Sequence, residues 1–143
     1  MKFMEYAYLL AKKAYDLNEV PVGAVVVKDN EIIGKGYNLI ETKKCSIMHA
    51  EIIAIKEAQK KLSDWRLNGC FLFVTLEPCL MCVGACLNSR IDEVVFSLKE
   101  DKTGAIISKY KINIKYKIDF EYQEKVKNLM QNFFKKLRND KKN

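Results

Sequence analysis

Two cysteines set behind a proline, in Pro78-Cys79-Leu80-Met81-Cys82, constrain this chain more than any other feature. The residues before them, Cys70 to Leu76, are apolar and rich in aromatic and β-branched types, which predicts a strand. Pro78 stands where a helix commonly starts, since its missing N–H costs nothing there. The predicted unit is therefore a strand feeding a helix over Cys79–Asn88. Thiols three residues apart in a first helical turn lie on one face. Unpaired N–H groups and the positive dipole end favour thiolate over thiol at that position. Taken alone, the pair reads as a metal site, a redox dithiol or two buried small apolar groups.

His49-Ala50-Glu51 narrows the choice. His49 is the single histidine of the chain and opens a predicted helix over His49–Leu62. One imidazole and two thiolates make three ligands, so His49, Cys79 and Cys82 are the candidate ligands of one zinc per subunit. Three protein ligands and an open position describe a catalytic zinc. Glu51 sits beside the imidazole without being needed as a ligand. Within hydrogen-bond reach of an activated water it can carry protons, which makes it the candidate catalytic residue. The plainer reading of Glu51 is a first-turn glutamate favoured by the helix dipole. Cys86 does not join the set. Seven residues of helix rise about 10 Å, whereas sulfurs sharing a zinc sit about 4 Å apart. Cys45 and Cys70 have no spacing partner and read as structural.

The remaining pattern predicts alternating helices and strands. Phe3, Tyr6, Ala7, Leu10, Ala11, Ala14 and Leu17 recur at helical spacing over residues 2 to 17. Val22–Lys28 and Ile32–Asn38 read as a hairpin turning at Asp29-Asn30. Gly34 and Gly36 in its second arm mark a bulge or a close backbone approach. Asp92–Ser97 reads as a fourth strand, and the alternation of Tyr110, Ile112, Ile114, Tyr116 and Ile118 places a fifth within 110 to 120. Val126, Leu129, Met130, Phe133, Phe134 and Leu137 form a closing helical stripe. This order indicates an α/β layered fold with some parallel pairing. Both cysteine- and histidine-bearing helices then begin at strand ends, where such folds place ligands.

The chain has 143 residues, 49% of them apolar, and no linker or repeat divides it. Residues 1–143 are thus expected to form a single domain. No stretch is long and apolar enough to span a bilayer. The N-terminal apolar run is cut at Lys12-Lys13 and does not read as a secretory signal. Thiols kept from secretion stay reduced, which favours ligands over disulfides. Net charge is +7, which suits a polyanionic partner or simply a lysine-rich surface. Lysines 99, 102, 109, 111, 115 and 117 interleave with Tyr110 and Tyr116, a pattern that fits single-stranded RNA or an edge strand guarded by charge.

The pattern His-x-Glu followed by Pro-Cys-x-x-Cys is the signature of zinc nucleobase deaminases. Beyond it, Glu19-Val20-Pro21-Val22-Gly23-Ala24-Val25, Gly36-Tyr37-Asn38, Trp65-Arg66-Leu67, Thr75-Leu76-Glu77-Pro78-Cys79-Leu80-Met81-Cys82, Ser89-Arg90-Ile91 and Lys102-Thr103-Gly104-Ala105 are present. With these stretches the chain resembles bacterial tRNA-specific adenosine deaminases, within the cytidine-deaminase-like superfamily. The resemblance is dense over about the first 105 residues. It departs at Cys45-Ser46-Ile47-Met48 and at 106 to 113, where the segment is shorter than the family's.

The resemblance implies a three-layer α/β/α sandwich with a central five-stranded mixed sheet. It implies hydrolysis of adenosine to inosine at the tRNA anticodon wobble position, with Glu51 shuttling protons and ammonia leaving. Asn38 matches a residue that holds the flipped nucleotide, and backbone near Ala50 and Pro78 would meet the base edge. A cytoplasmic homodimer is also implied, with the end of the last helix against RNA. Two other readings share the zinc site. One is a deaminase of a free nucleobase or nucleotide, of cytosine or guanine type. The other is a non-catalytic zinc or RNA-binding subunit, which would have no need of Glu51.

Overall fold

A computed structural model describes residues 2–142. Helix α1 (Phe3–Asp16) buries Met4, Ala7, Leu10, Ala11 and Ala14 along one stripe. It stops at Leu17 and Asn18, the latter with φ 61°. The hairpin follows as β1 (Gly23–Lys28) and β2 (Glu31–Tyr37). Asp29 and Asn30 have φ 50° and 61°. Two consecutive positive φ values make a two-residue turn whose twist matches that of paired strands.

A bulge falls beside Gly34, and both glycines of β2 meet a close backbone approach. Val26 pairs with Gly34 but Val27 with Ile32, so Ile33 is the extra residue of a bulge. Helix α3 also lies hard against this strand. A Cβ on Gly34 would stand 2.2 Å from the Ala54 carbonyl oxygen, and one on Gly36 2.2 Å from that of Ala50.

A short helix α2 (Ile40–Lys43) follows β2 and was not foreseen, four residues being too few for a periodic signal. Then come α3 (Ala50–Leu62), β3 (Cys70–Leu76), α4 (Leu80–Ser89), β4 (Glu93–Leu98), β5 (Tyr116–Ile118) and α5 (Gln123–Lys142). Helices α3 and α4 begin one residue later than expected, with His49 and Cys79 as their N-caps. Pro78 accordingly lies before the cap and not in the first turn.

The strands form one sheet in the order β2-β1-β3-β4-β5. β1 is antiparallel to β2 and β3, while β3-β4 and β4-β5 are parallel. Helices α3 and α4 cover one face, packing Ala54, Ala58, Val83 and Cys86 on Val26, Leu72, Val74, Val94 and Phe96. Helices α1 and α5 cover the other, with Met4, Ala7, Val126 and Met130 against Phe73 and Val95. This is the expected three-layer sandwich around a five-stranded mixed sheet.

β5 lies within the expected 110 to 120 window, over Tyr116–Ile118 only. Lys111 has φ 53°, which breaks an extended run. The Ile112 N–H donates to Ala105, in a loop, and only Tyr116–Ile118 pair with β4. Ile112 and Ile114 still pack on the core, so the alternation reports burial without a ladder. Among the described residues no helix is long and apolar enough to cross a membrane.

Candidate active site

Sheet topology brings two helix starts together. Both β2 and β3 are antiparallel to the strand between them, so they run the same way. Helix α3, reached from β2 through α2, and helix α4, which follows β3, start from the same end of these strands. His49 and Cys79 are both extended N-caps, with ψ 153° and 175°, and neither side chain caps its own helix. Their donor atoms are left free to face each other.

His49 Nδ1 lies 3.5 Å from Cys79 Sγ and 3.5 Å from Cys82 Sγ. The three donor atoms all fall within 4.8 Å of one another, so the group can hold a metal ion. A tetrahedral zinc with usual bond lengths sets nitrogen and sulfur ligands about 3.6 Å apart. The observed spacing fits that requirement, and the donor set of imidazole and two thiols suits zinc. Cys86, buried one turn beyond Cys82, is outside the group.

The two thiols share one proton between them. Cys79 is pushed down to about 4. The Cys82 thiol donates to it, and against the opposing effect of burial His49 and the Cys82 N–H add to the shift. Cys82 is raised, chiefly because its proton is held in that bond to Cys79 and then by burial. His49 is raised mainly by its bond to Cys79.

Glu51, the second residue of α3, is 4% exposed. Burial pushes its carboxyl up to about 7. A carboxyl poised there can take and return a proton near neutrality. It opens onto a cavity of about 230 Å³ whose wall also includes His49, Ala50, Cys79, Asn38, Glu77, Glu100 and Thr103. Met130 and Phe134 of α5 close one side. Beyond them an adjoining depression continues to Lys135 and Arg138.

The other expected contacts divide. Asn38 is buried on the cavity wall, its Nδ2 donating to the Val20 carbonyl at 3.3 Å and its Oδ1 accepting from the Ile40 N–H at 3.4 Å. Ala50 lines the cavity as the first residue of α3. Pro78 is absent from the wall, and its carbonyl accepts the Ala105 N–H at 2.9 Å.

Residues 1–138 match the family model of the MafB19-like deaminases. The tRNA-specific adenosine deaminase of Aquifex aeolicus is 44% identical over 96% of this chain and 95% of its own length. That of Haemophilus influenzae is 43% identical over 99% of this chain and 86% of its own. The chain belongs to the tRNA-specific adenosine deaminases. A protein solved in a study of A-to-I editing by tRNA:A34 deaminases superposes with a TM-score of 0.85, at 31% identity over 89% of this chain and 97% of that one.

Two residues of this deaminase stand in its family stretches without an assigned role in the sequence. Glu19 is buried and accepts from Glu41 N–H, Thr42 N–H and Thr42 Oγ1, so it pins α2 at the cavity rim. Glu77 is buried and accepts from the N–H groups of Glu100, Ile106, Ile107 and Ser108. Burial pushes the Glu77 carboxyl up, but these bonds, led by that of the Ser108 hydroxyl, hold it below the usual range. The available signal was an acid within two residues of a proline and beside apolar residues, in Glu19-Val20-Pro21 and Leu76-Glu77-Pro78.

Proposed function

We propose that this deaminase converts adenosine to inosine at the wobble position of a tRNA anticodon, using one zinc held by His49, Cys79 and Cys82. The observation that carries the reading is the meeting of two helix starts, with His49 Nδ1 3.5 Å from both thiols and buried Glu51 facing the same cavity. Zinc bound there supplies a Lewis acid that activates water for attack on the amine-bearing carbon. Glu51, buried on the same cavity, would take the proton and deliver it to the departing amine. Asn38 and the backbone near Ala50, both on the cavity wall, would hold the base. Pro78 supports the wall through Ala105 and is not assigned a contact.

The RNA assignment rests on the named relatives and on the depression leading from the cavity past Phe134 to Lys135 and Arg138. A basic, aromatic-edged path suits a single strand entering with one base splayed out. A free base would have no use for it. We place residues 1–143 in a single domain and the enzyme in the cytoplasm as a homodimer. Leu80 and Leu87, seven residues apart on α4, are 47% and 48% exposed, an apolar face for a second copy.

The test incubates zinc-loaded protein with an anticodon stem-loop carrying wobble adenosine and with free adenine, guanine and cytosine. Mass spectrometry should find inosine in the stem-loop. Deamination of a free base without inosine would replace this reading by the nucleobase one. Zinc at unit stoichiometry with no turnover anywhere would leave only the binding-subunit reading.

A further inference from the structure

We propose that Glu77 is a positioning residue that shapes the substrate-facing wall of the cavity by fastening the loop 100–108 to the start of α4. This rests on the tRNA deaminase reading of the same site.

The carboxylate sits at the centre of that loop. Its Oε2 accepts from Ile106, Ile107 and Ser108 N–H at 2.9, 2.8 and 3.1 Å. Its Oε1 accepts from Glu100 N–H at 3.0 Å and from Ser108 Oγ at 2.5 Å. Five donors converge on one buried carboxyl, and every one of them lies in the loop. No amide side chain can replace it, since an NH₂ in either orientation would face N–H or O–H donors.

Gly104 makes room for this arrangement. A Cβ there would stand 2.4 Å from both Cδ and Oε1 of Glu77. Gly104 also bridges to Cys79, and the Ala105 N–H donates to the Pro78 carbonyl. The loop is thereby tied to the Pro78-Cys79 backbone through that bridge and to the Glu77 carboxylate. Glu100 and Thr103, which this fastening holds in place, line the cavity opposite Asn38 and Glu51. The metal ligands and Glu51 keep their own supports in α3 and α4, so the loop governs fit of the substrate more than the chemical step.

Electrostatics supplies a discriminating sign. Removing a carboxylate beside an RNA path should tighten binding if charge were all that mattered. The positioning role predicts the opposite. Glu77→Gln and Gly104→Ala, each zinc-loaded, should raise KM for the stem-loop about tenfold while kcat changes less. Zinc content should stay at the wild-type level in both. In the same proteins, amide hydrogen exchange should accelerate at residues 106 to 108 and not in α3. Ser108→Ala, which removes one of five donors, should show the same effects in weaker form. It serves as the arm that folds if the other two do not.

Unchanged exchange at 106 to 108 in Ser108→Ala and in either other variant would overturn the proposal. So would a lower KM for Glu77→Gln, or zinc lost in step with activity. If wild-type protein makes no inosine, the function reading falls, and exchange at 106 to 108 still judges the fastening.

Discussion

The closeness of α3 to β2 makes two glycine-to-alanine exchanges behave in opposite ways. At Gly36 a new Cβ would meet the Ala50 carbonyl oxygen at 2.2 Å, the Ala54 nitrogen at 2.8 Å and Ile53 Cβ at 3.0 Å. Carbon and carbonyl oxygen settle no closer than about 3.3 Å, so the first turn of α3 must withdraw by about 1 Å. The obstructing atoms are backbone, which cannot rotate away. Overpacking of this kind costs about 1–3 kcal/mol. At this chain length that lowers Tm by roughly 4 °C per kcal/mol. The withdrawn turn carries His49 and Glu51, so the ligand set opens and zinc binds more weakly. A 1 Å misplacement of reacting groups costs about 10²-fold in rate. At Gly84, inside α4, an added Cβ meets nothing within 4 Å. There the exchange should stabilise by roughly 0.5–1 kcal/mol, through the lost freedom of the unfolded chain. Thermal melts of both zinc-loaded variants, with zinc affinity by competition against a chelating dye, read the contrast. A Gly36→Ala protein that melts with wild type and holds zinc as tightly would refute the packing argument.

Other expectations follow from the same geometry. Glu51→Gln should retain zinc and lose about 10²–10⁴-fold in turnover, seen by metal analysis and single-turnover assays. Cys82→Ala should lose the metal, whereas Cys86→Ala should keep it, because Cys86 stands outside the donor cluster; equal zinc loss in both would reverse the ligand assignment. Glu19 gives a pH signature. Burial pushes its carboxyl up, but the Thr42 hydroxyl and the Glu41 and Thr42 N–H groups outweigh this and hold it below its ordinary 4.5. Its contribution is complete above that pH and fades as pH falls through the lower folded value. Denaturation of Glu19→Gln should therefore differ from wild type near neutrality and converge with it in acid. Chelation should lower Tm and speed amide exchange in the first turns of α3 and α4, which have no side-chain caps of their own. Melts and exchange profiles identical with and without chelator would contradict this.

Much of the fold was legible because one side of each element is buried. The stripe of α1 and the apolar runs of β1 and β3 appear where periodicity put them, to within a residue or two. The caps slipped by one residue, since a cap and a first helical residue look alike in sequence. His49 and Cys79 gain freedom by standing outside the helix. β5 falls inside the expected 110 to 120 window but fills only part of it, because alternation also records side chains that pack without a ladder, as the partly buried Ile112 and Ile114 do. The meeting of His49, Cys79 and Cys82 was readable because few residue types can bind a metal and their spacing is narrow. The fastening by Glu19 and Glu77 was not, because its partners are backbone N–H groups, which carry no letter of their own.

The place of β1 between β2 and β3 bears on the order of assembly. The two halves of the metal socket hang from strands that do not touch, separated by a third that pairs with both. No early pairing of neighbours in sequence can build the socket. The hairpin β1-β2 forms locally, yet β3 must dock against its far edge before His49 meets Cys79. Docking of this type is non-local and slow compared with hairpin closure. A metal bound by His49, Cys79 and Cys82 would therefore join a nearly completed fold as a late lock. A metal-starved cell should accumulate a sheet-containing apo form with an open end, a species for chaperones and proteases to recognise.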